Sequence, residues 1–503
     1  MLPIVFLLAL AGISQPANAA RPLHVETTIG NVYGMINGSA PDVAQFLGIP
    51  FAEPPVGELR FRPPQRKRRG LHIDATRIGP SCPQYKLTKQ NEPSVYTYDA
   101  PWLQPYGPTS EDCLTLNVWT PRSAKSDDKL PVLFWVFGGG FYEGGLLTKA
   151  FEPSNWIQKS QSHIVVAINH RVNIFGFPNA RGLAETGENL NFGLLDQRLA
   201  MEWVRDNIAA FGGDPSRITM WGQSSGAAST DFYNFAWADD PIIAGQIMHS
   251  GNVFATGTNV DLTHSNFTFV AEQFGCGQLS AQEEVNCMRN VSADAIIELY
   301  NSYNMNHSSG QLKWTTIIDN VTKFGDYTER YHARNYSRVP AIVGSNSEEQ
   351  TSLISWPGPD GPNMTMIYEE TVAGKLCPNT HNAELRYNTS SLTFYYYNTA
   401  NFSNISPRPW EGAYHTSELP LVFGTYSQYG GPTTREEVDV ATRWQELYLA
   451  FIRDPIHGLP SMGWPAYRPD GFAMVFAANN TPSQLIPVTE LSNRCVGVPE
   501  TYN

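Results

Sequence analysis

The sequence predicts an α/β architecture: a central, mostly parallel sheet with helices on both faces and large loop or helical excursions over one edge. Three observations lead there. Strand-like apolar runs at 132–137, 163–168, 217–221, 245–249, 340–344, 392–397 and 472–477 are spread along the whole length, which suits one sheet rather than several. The run at 217–221 leads through Gly222-Gln223-Ser224-Ser225-Gly226 into the small residues Ala227-Ala228-Ser229, an order of strand, sharp turn and helix. No repeat, low-complexity tract or long linker divides the 503 residues, so residues 20–503 are expected to form a single domain.

The first residues, Leu2 to Ile13, form a short apolar run ending near Ala17-Asn18-Ala19, the small-x-small form of a signal-peptidase site. A signal peptide over residues 1–19 and a secreted chain are the expectation. That run is too short to span a bilayer, and no other segment of the sequence is long and apolar enough to do so. Further on, Pro131 to Phe137 is an apolar strand that runs directly into Gly138-Gly139-Gly140-Phe141, with Gly144-Gly145 just beyond. Leu194 to Ala210 has the spacing of an amphipathic helix, with Leu195, Leu199, Trp203 and Ile208 facing the core. Between roughly 255 and 335, and again between 350 and 412, the sequence is polar and loop-rich, as expected of excursions that cover a site.

Ser224 is the chemical centre of this pattern. Gly222 and Gly226 allow the strand-to-helix turn that lifts a hydroxyl out of a sheet, where a base can reach it. A serine hydroxyl is a poor nucleophile near neutral pH, so it needs a general base, an acid to orient that base, and donors for the oxyanion that forms. The backbone amides of Gly139, Gly140 and Ser225 are the expected donors, because successive glycines let N–H groups turn toward a carbonyl with no side chain in the way. On such an elbow the acid and the histidine follow the serine in chain order. Glu348 and Glu349 stand just after the strand-like Val339 to Gly344, and the pattern alone does not choose between them. His415 lies after Leu392 to Tyr397 and a Pro/Asn-rich stretch, where a loop at the C-terminal edge of the sheet belongs. His457 follows Asp454-Pro455 in a surface turn, and His249, His307, His332 and His381 read most simply as structural or solvated.

Several longer segments resemble the type-B carboxylesterases, the family of cholinesterases and fungal lipases within the α/β-hydrolase fold. Phe46 to Phe61 resembles that family's N-terminal block, Glu111 to Val118 its second signature, and Asn191-Phe192-Gly193 through Gly212-Gly213-Asp214-Pro215 the helix leading into its elbow. The resemblance covers nearly the whole chain after residue 46. It implies Ser224 as nucleophile, His415 as base and Glu349 as acid, since Ser347-Glu348-Glu349-Gln350 stands where the family has Asp-Glu-Gly. Gln350 replaces the usual glycine, which keeps Glu348 as the alternative acid. It also implies ester hydrolysis through an acyl-enzyme, with a small-molecule ester as partner and no metal or organic cofactor. Two charged pairs, Arg60 with Glu111 and Arg171 with Asp196, resemble the family's structural salt bridges.

Departures from the family bear on substrate. The residue before the nucleophile is often glutamate and is Gln223 here, which removes a negative charge that would favour choline esters. Trp102 stands near the place where cholinesterases put the tryptophan that stacks on quaternary ammonium. The Cys82 to Cys113 segment, where fungal lipases of the family have a lid, is rich in tyrosine, proline and polar groups and poor in aliphatics. Short- to medium-chain soluble esters are therefore expected, with a long-chain lipase or a cholinesterase-like activity as the alternative. A non-catalytic, cholinesterase-like adhesion or binding protein is the alternative of another class. Such proteins typically lose a member of the triad, whereas Ser224, Glu349 and His415 are all present.

Six cysteines suit an oxidising compartment, although spacing leaves every connectivity open. The resemblance implies Cys82–Cys113, Cys276–Cys287 and Cys377–Cys495. No clustered Cys/His spacing suggests a metal. Asn-x-Ser/Thr sequons at Asn37, Asn266, Asn290, Asn306, Asn320, Asn335, Asn363, Asn388, Asn401, Asn404 and Asn479 predict glycans on a secreted chain. A net charge of -13 argues against nucleic acid and anionic membranes as partners, since both reward a basic surface. A monomer or homodimer is expected.

Overall fold

The computed structural model describes residues 23–187, 189–255, 261–306 and 311–499; the expected signal peptide and His307 lie outside them. Eleven strands form the main sheet: β1 Met35–Ile36, β2 Val43–Pro50, β3 Thr115–Pro121, β4 Leu130–Val136, β5 Ile164–Ile168, β6 Gly213–Gln223, β7 Gly245–His249, β8 Ala341–Asn346, β9 Thr393–Asn398, β10 Phe472–Ala478 and β11 Thr481–Pro487. Their spatial order is β11-β10-β9-β8-β7-β6-β4-β5-β3-β2-β1. The strands from β5 to β10 pair in parallel. Antiparallel pairs complete the sheet at both ends. A second sheet of three short strands comes from His24–Thr27, Gly30–Tyr33 and His72–Asp74.

The parallel strands read as unbroken apolar runs because helices cover both of their faces. In β4 every residue from Pro131 to Val136 is buried, and β5, Ile-Val-Val-Ala-Ile, is buried throughout. The register sets Trp135 opposite Trp221 and Val136 opposite Gly222. Those two indoles meet edge to face at 4.5 Å, and Phe423 stacks on Trp221 at 4.6 Å. Large rings thus fix the end of β6, the strand that delivers Ser224.

Helix α1, Phe192–Asn207, continues into a 3-10 turn at Ile208–Phe211. Its Leu199, Trp203 and Ile208 are buried as the periodicity predicts, while Leu195 is half-buried against a neighbouring cluster. Helix α2, Ser225–Ala236, starts at the residue after Ser224. Helix α3, Arg435–Arg453, is capped by the Thr434 hydroxyl, which accepts from the Glu437 amide at 3.1 Å. Its Trp444 stacks on Phe476 of β10 with ring centroids 3.9 Å apart. Each large apolar side chain buried in this way contributes roughly 1.5–3 kcal/mol.

The two excursions differ from the loop-rich reading, because they are largely helical. They contain helices at Ser265–Gln273, Ala281–Met288, Ala293–Asn306, Tyr327–Ala333, Met364–Thr371 and Cys377–Asn388. In the first excursion Phe267, Val270, Val285, Met288, Ile296 and Tyr300 join a core cluster with Phe61, Phe175, Leu183 and Phe192. Helix ends are set by side chains. Ser280 and Glu283 form a reciprocal capping box, and the Asn363 Oδ1 accepts from the Thr365 and Met366 amides.

The cysteines pair as Cys82–Cys113, Cys276–Cys287 and Cys377–Cys495. Arg171 and Asp196 form a buried bidentate pair at 2.7 and 2.9 Å, and Arg60 and Glu111 a second one at 2.6 Å. No helix among the described residues is long and apolar enough to cross a membrane. Of the sequon asparagines, Asn404 does not suit a glycan. Only 2% of it is exposed, and its amide donates to the Tyr426 carbonyl and the Glu437 carboxylate at 3.0 and 2.8 Å. Asn266 is half-buried, and the other nine are exposed.

Candidate active site

Ser224 sits between β6 and α2 with φ 56° and ψ −124°, a backbone conformation that residues other than glycine rarely adopt. Two hydrogen bonds hold it there. Its N–H donates to the His249 carbonyl at 2.8 Å, and its carbonyl accepts from the Ala228 N–H at 2.9 Å. The flanking glycines are required by space: a Cβ on Gly222 would stand 2.2 Å from the Gly226 carbonyl oxygen, and one on Gly226 would stand 2.2 Å from that of Val136.

The loop after β4 faces the serine. A Cβ on Gly138 would lie 2.9 Å from the Ser224 Cβ. Gly139 and Gly140 have φ of 122° and 63°, and the Gly139 carbonyl accepts from the Tyr142 and Glu143 amides at 3.1 Å. That turn leaves the Gly139 and Gly140 N–H groups with no protein acceptor among the described residues. As the first residue of α2, Ser225 likewise has an N–H that no helical carbonyl can take. Gln84 ties the loop to the Cys82–Cys113 segment, accepting from the Gly144 N–H at 2.9 Å and donating to its carbonyl at 2.7 Å.

Glu349 follows β8 and His415 lies in the loop after β9, so both reach the same C-terminal edge of the sheet as Ser224. His415 Nδ1 is 2.5 Å from Glu349 Oε2. The other carboxylate oxygen accepts from the Ser250 hydroxyl at 2.5 Å and the Asn346 N–H at 2.7 Å. Burial pushes the Glu349 carboxyl up, but the charge and hydrogen bond of His415, the charge of Lys375 and the Asn346 amide outweigh it and hold it below its ordinary value. Glu348 points elsewhere, accepting from the Ala413 N–H at 2.9 Å and from the Ser347 hydroxyl, and burial raises its carboxyl above the ordinary value. The geometry therefore separates the two glutamates that the sequence pattern does not.

His415 Nε2 meets the Gln223 amide nitrogen at 3.1 Å. With Nδ1 donating to Glu349, Nε2 is the acceptor in that contact. No hydrogen bond joins Ser224 Oγ to His415 among the described residues, although both line one cavity of about 280 Å³. Catalytic hydrogen bonds commonly tighten only when substrate arrives. Tyr96 reaches in from the Cys82–Cys113 segment and donates to the His415 carbonyl at 2.8 Å, fixing the loop.

The cavity also exposes Gly138 to Gly140, Phe141, Tyr142 and Phe151. The model of the carboxylesterase family matches residues 21–373. The chain belongs to the carboxylesterase family. This carboxylesterase is 42% identical over 498 residues to a chlorogenic acid esterase of Aspergillus niger, and 38% identical over 502 residues to secreted lipase 5 of Gibberella zeae; each match covers 94% of both chains. It is 33% identical over 359 residues to liver carboxylesterase 1F of Rattus norvegicus, covering 69% of this chain and 63% of that one. Its fold is accordingly the α/β-hydrolase fold, and its chemistry is carboxylic ester hydrolysis by a serine nucleophile through an acyl-enzyme.

Other histidines of the carboxylesterase stand apart from this arrangement. His249 is wholly buried and bonded to Tyr448, Tyr396 and Glu418 at 2.7, 3.0 and 3.2 Å, so its part in the site is the carbonyl that holds Ser224. His332 and His457 are exposed. Trp102 stacks on Tyr429 with centroids 5.0 Å apart, while its neighbours Leu103, Gln104 and Pro105 face the cavity. Sequence reasoning missed Ser250, Asn346, Tyr96 and Gln84. Ser250 and Asn346 stand at or just beyond the C-terminal ends of β7 and β8, the position that could have flagged them.

Proposed function

We propose that Ser224, His415 and Glu349 are the catalytic residues of this esterase and that its substrates are soluble esters with short- to medium-length acyl chains. The observation that supports this reading most is the Glu349–His415 pair aimed into the cavity that holds Ser224. His415 Nε2 leaves the Gln223 amide and takes the Ser224 proton as Oγ attacks the ester carbonyl. Glu349 keeps the imidazole in the required tautomer and stabilises its charged form. The amides of Gly139, Gly140 and Ser225 receive the oxyanion, each being worth about 3–4 kcal/mol to the transition state. The imidazolium protonates the departing alcohol, and water then hydrolyses the acyl-enzyme by the same route.

The cavity supports small substrates. Its volume of about 280 Å³ is just below the usual range for small-molecule sites, about 300–1,000 Å³, and Leu103 and Leu353 are the only long aliphatic residues among the described residues lining it. A second reading, an ester of the chlorogenic acid type, follows from the Aspergillus niger relative and is favoured by the aromatic wall of Tyr96, Phe141, Tyr142 and Phe151. The relatives named as secreted and the three disulfides support an extracellular chain. We place its signal peptide at residues 1–19, a single catalytic domain at 20–503, and glycans on the exposed sequons, with the chain a monomer or homodimer.

Initial rates on p-nitrophenyl esters from acetate to palmitate, with Ser224→Ala as the blank, test the reading. A peak at short or medium chains supports it. A peak at long chains with a jump above the solubility limit points to a lipase, and turnover independent of Ser224 contradicts the site.

A further inference from the structure

Lys375 lines the same cavity as Ser224 and His415; its charge helps hold Glu349 ionised, but no hydrogen bond joins it to a member of the triad among the described residues. It lies in a π-helical turn, Val372–Leu376, set between the helices Met364–Thr371 and Cys377–Asn388. Such insertions are frequent at functional sites. Both ends of the turn are fastened. The Thr371 hydroxyl accepts from the Gln350 N–H at 3.2 Å, and Cys377 is bonded to Cys495.

The side chain is half-buried and forms no hydrogen bond or ion pair among the described residues. Its strongest electrostatic neighbour is Glu349, but that carboxylate is already served. Oε1 is taken by Ser250 and Asn346, and Oε2 by His415. Glu143, which does line the cavity, makes no ion pair with Lys375 among the described residues, and burial, with the nearby Glu92 adding to it, raises its carboxyl. Burial pulls the Lys375 pKa down and the charge of Glu349 counters it in part. A half-buried cation with no hydrogen-bond partner among the described residues has lost hydration that the field of Glu349 replaces only in part. Because the net charge is -13, the field of the whole chain repels anions at long range, and an attraction for them must come from a cation inside the site.

We propose that Lys375 is a specificity-determining residue that binds a carboxylate on the substrate, so that the preferred esters are anionic. The inference rests on the Ser224-centred reading of the cavity and deepens it by naming the substrate's charge. The carboxylate belongs either to the acyl part or to the alcohol part, and both placements present the same chemistry to the ammonium.

Two matched pairs of esters separate them: monomethyl adipate against methyl hexanoate for the acyl side, and 3-acetoxybenzoate against phenyl acetate for the alcohol side. Wild type, Lys375→Met and Lys375→Arg are compared on all four. In Lys375→Met, kcat/KM for at least one anionic ester is expected to fall about 10- to 100-fold, chiefly through KM, as for loss of a hydrogen bond to a charged group. The neutral esters, which lose only the field of Lys375 on Glu349, should fall by much less than the anionic ones, their remaining turnover also shows that the variant folds, and Lys375→Arg should restore much of the loss. The pair that responds identifies the side. An equal fall on neutral and anionic esters would make Lys375 a support for Glu349 and overturn the proposal, as would no change on any of them. Absence of Ser224-dependent turnover of the neutral esters by wild type would instead contradict the reading of the site itself.

Discussion

His415 Nδ1 lies 2.5 Å from Glu349 Oε2, and only 3% of the histidine and none of the glutamate is exposed. A pair so buried fixes the imidazole's tautomer and leaves Nε2 as the acceptor facing the cavity. Glu349→Gln is expected to keep the fold and to lower kcat by about 10³- to 10⁴-fold, since an amide favours the wrong tautomer. Glu348→Gln, which disturbs only the Ala413 and Ser347 contacts, should cost less than about tenfold. Steady-state kinetics on one neutral ester decides between them, and the reverse order would exchange the two roles.

Gln223 supplies a neutral partner to His415 Nε2 at 3.1 Å. A carboxylate in its place would favour the imidazolium. Gln223→Glu should therefore move the acid limb of the kcat/KM profile to higher pH and improve turnover of cationic esters relative to neutral ones. A pH-rate profile that does not move would show that this contact is lost before the chemistry starts.

Glu143 follows the glycine loop, and burial, with the nearby Glu92 adding to it, pushes its carboxyl up from 4.5 to about 8. The folded value exceeds the unfolded one, so the fold holds this proton more tightly than the open chain does. The contribution is complete below the unfolded value and is lost as pH rises through the folded one. Relative to wild type, Glu143→Gln should thus gain stability between about pH 5 and about pH 9. Thermal unfolding at the two pH values measures it, and parallel shifts in both proteins would contradict the assignment.

Arg171 and Asp196 are 3% and 0% exposed in their side chains and joined by three hydrogen bonds, two from the guanidinium and one from the Arg171 backbone N–H. Removing one partner strands a buried charge. Asp196→Asn should cost about 3–5 kcal/mol, read by denaturant unfolding, while the activity per folded molecule changes little because the pair does not touch the cavity.

The parallel strands were legible because burial on both faces leaves unbroken apolar runs; β7 spans Gly245–His249, the same residues that the sequence marks. The edge strand β11, Thr481–Pro487, was not, since its residues are half-buried or exposed and two are prolines. Polar composition also hid the excursion helices, whose capping signals at Ser280 and Asn363 were present but local. At the site, the Ser224 elbow could be read because its glycines are a local steric requirement. Glu349 over Glu348, the Gln223–His415 contact and Lys375 depend on where distant loops meet, 192 residues apart in the case of Gln223 and His415. No spacing rule encodes that.

The central claim is that Ser224 forms the acyl-enzyme. Reaction of the intact protein with a fluorophosphonate, followed by peptide mass spectrometry, tests it most directly. One phosphonyl group on the peptide containing Ser224, with hydrolysis falling in step with labelling and no labelling of Ser224→Ala, is the expected result. Label on another residue, or hydrolysis that survives complete labelling of Ser224, would contradict it.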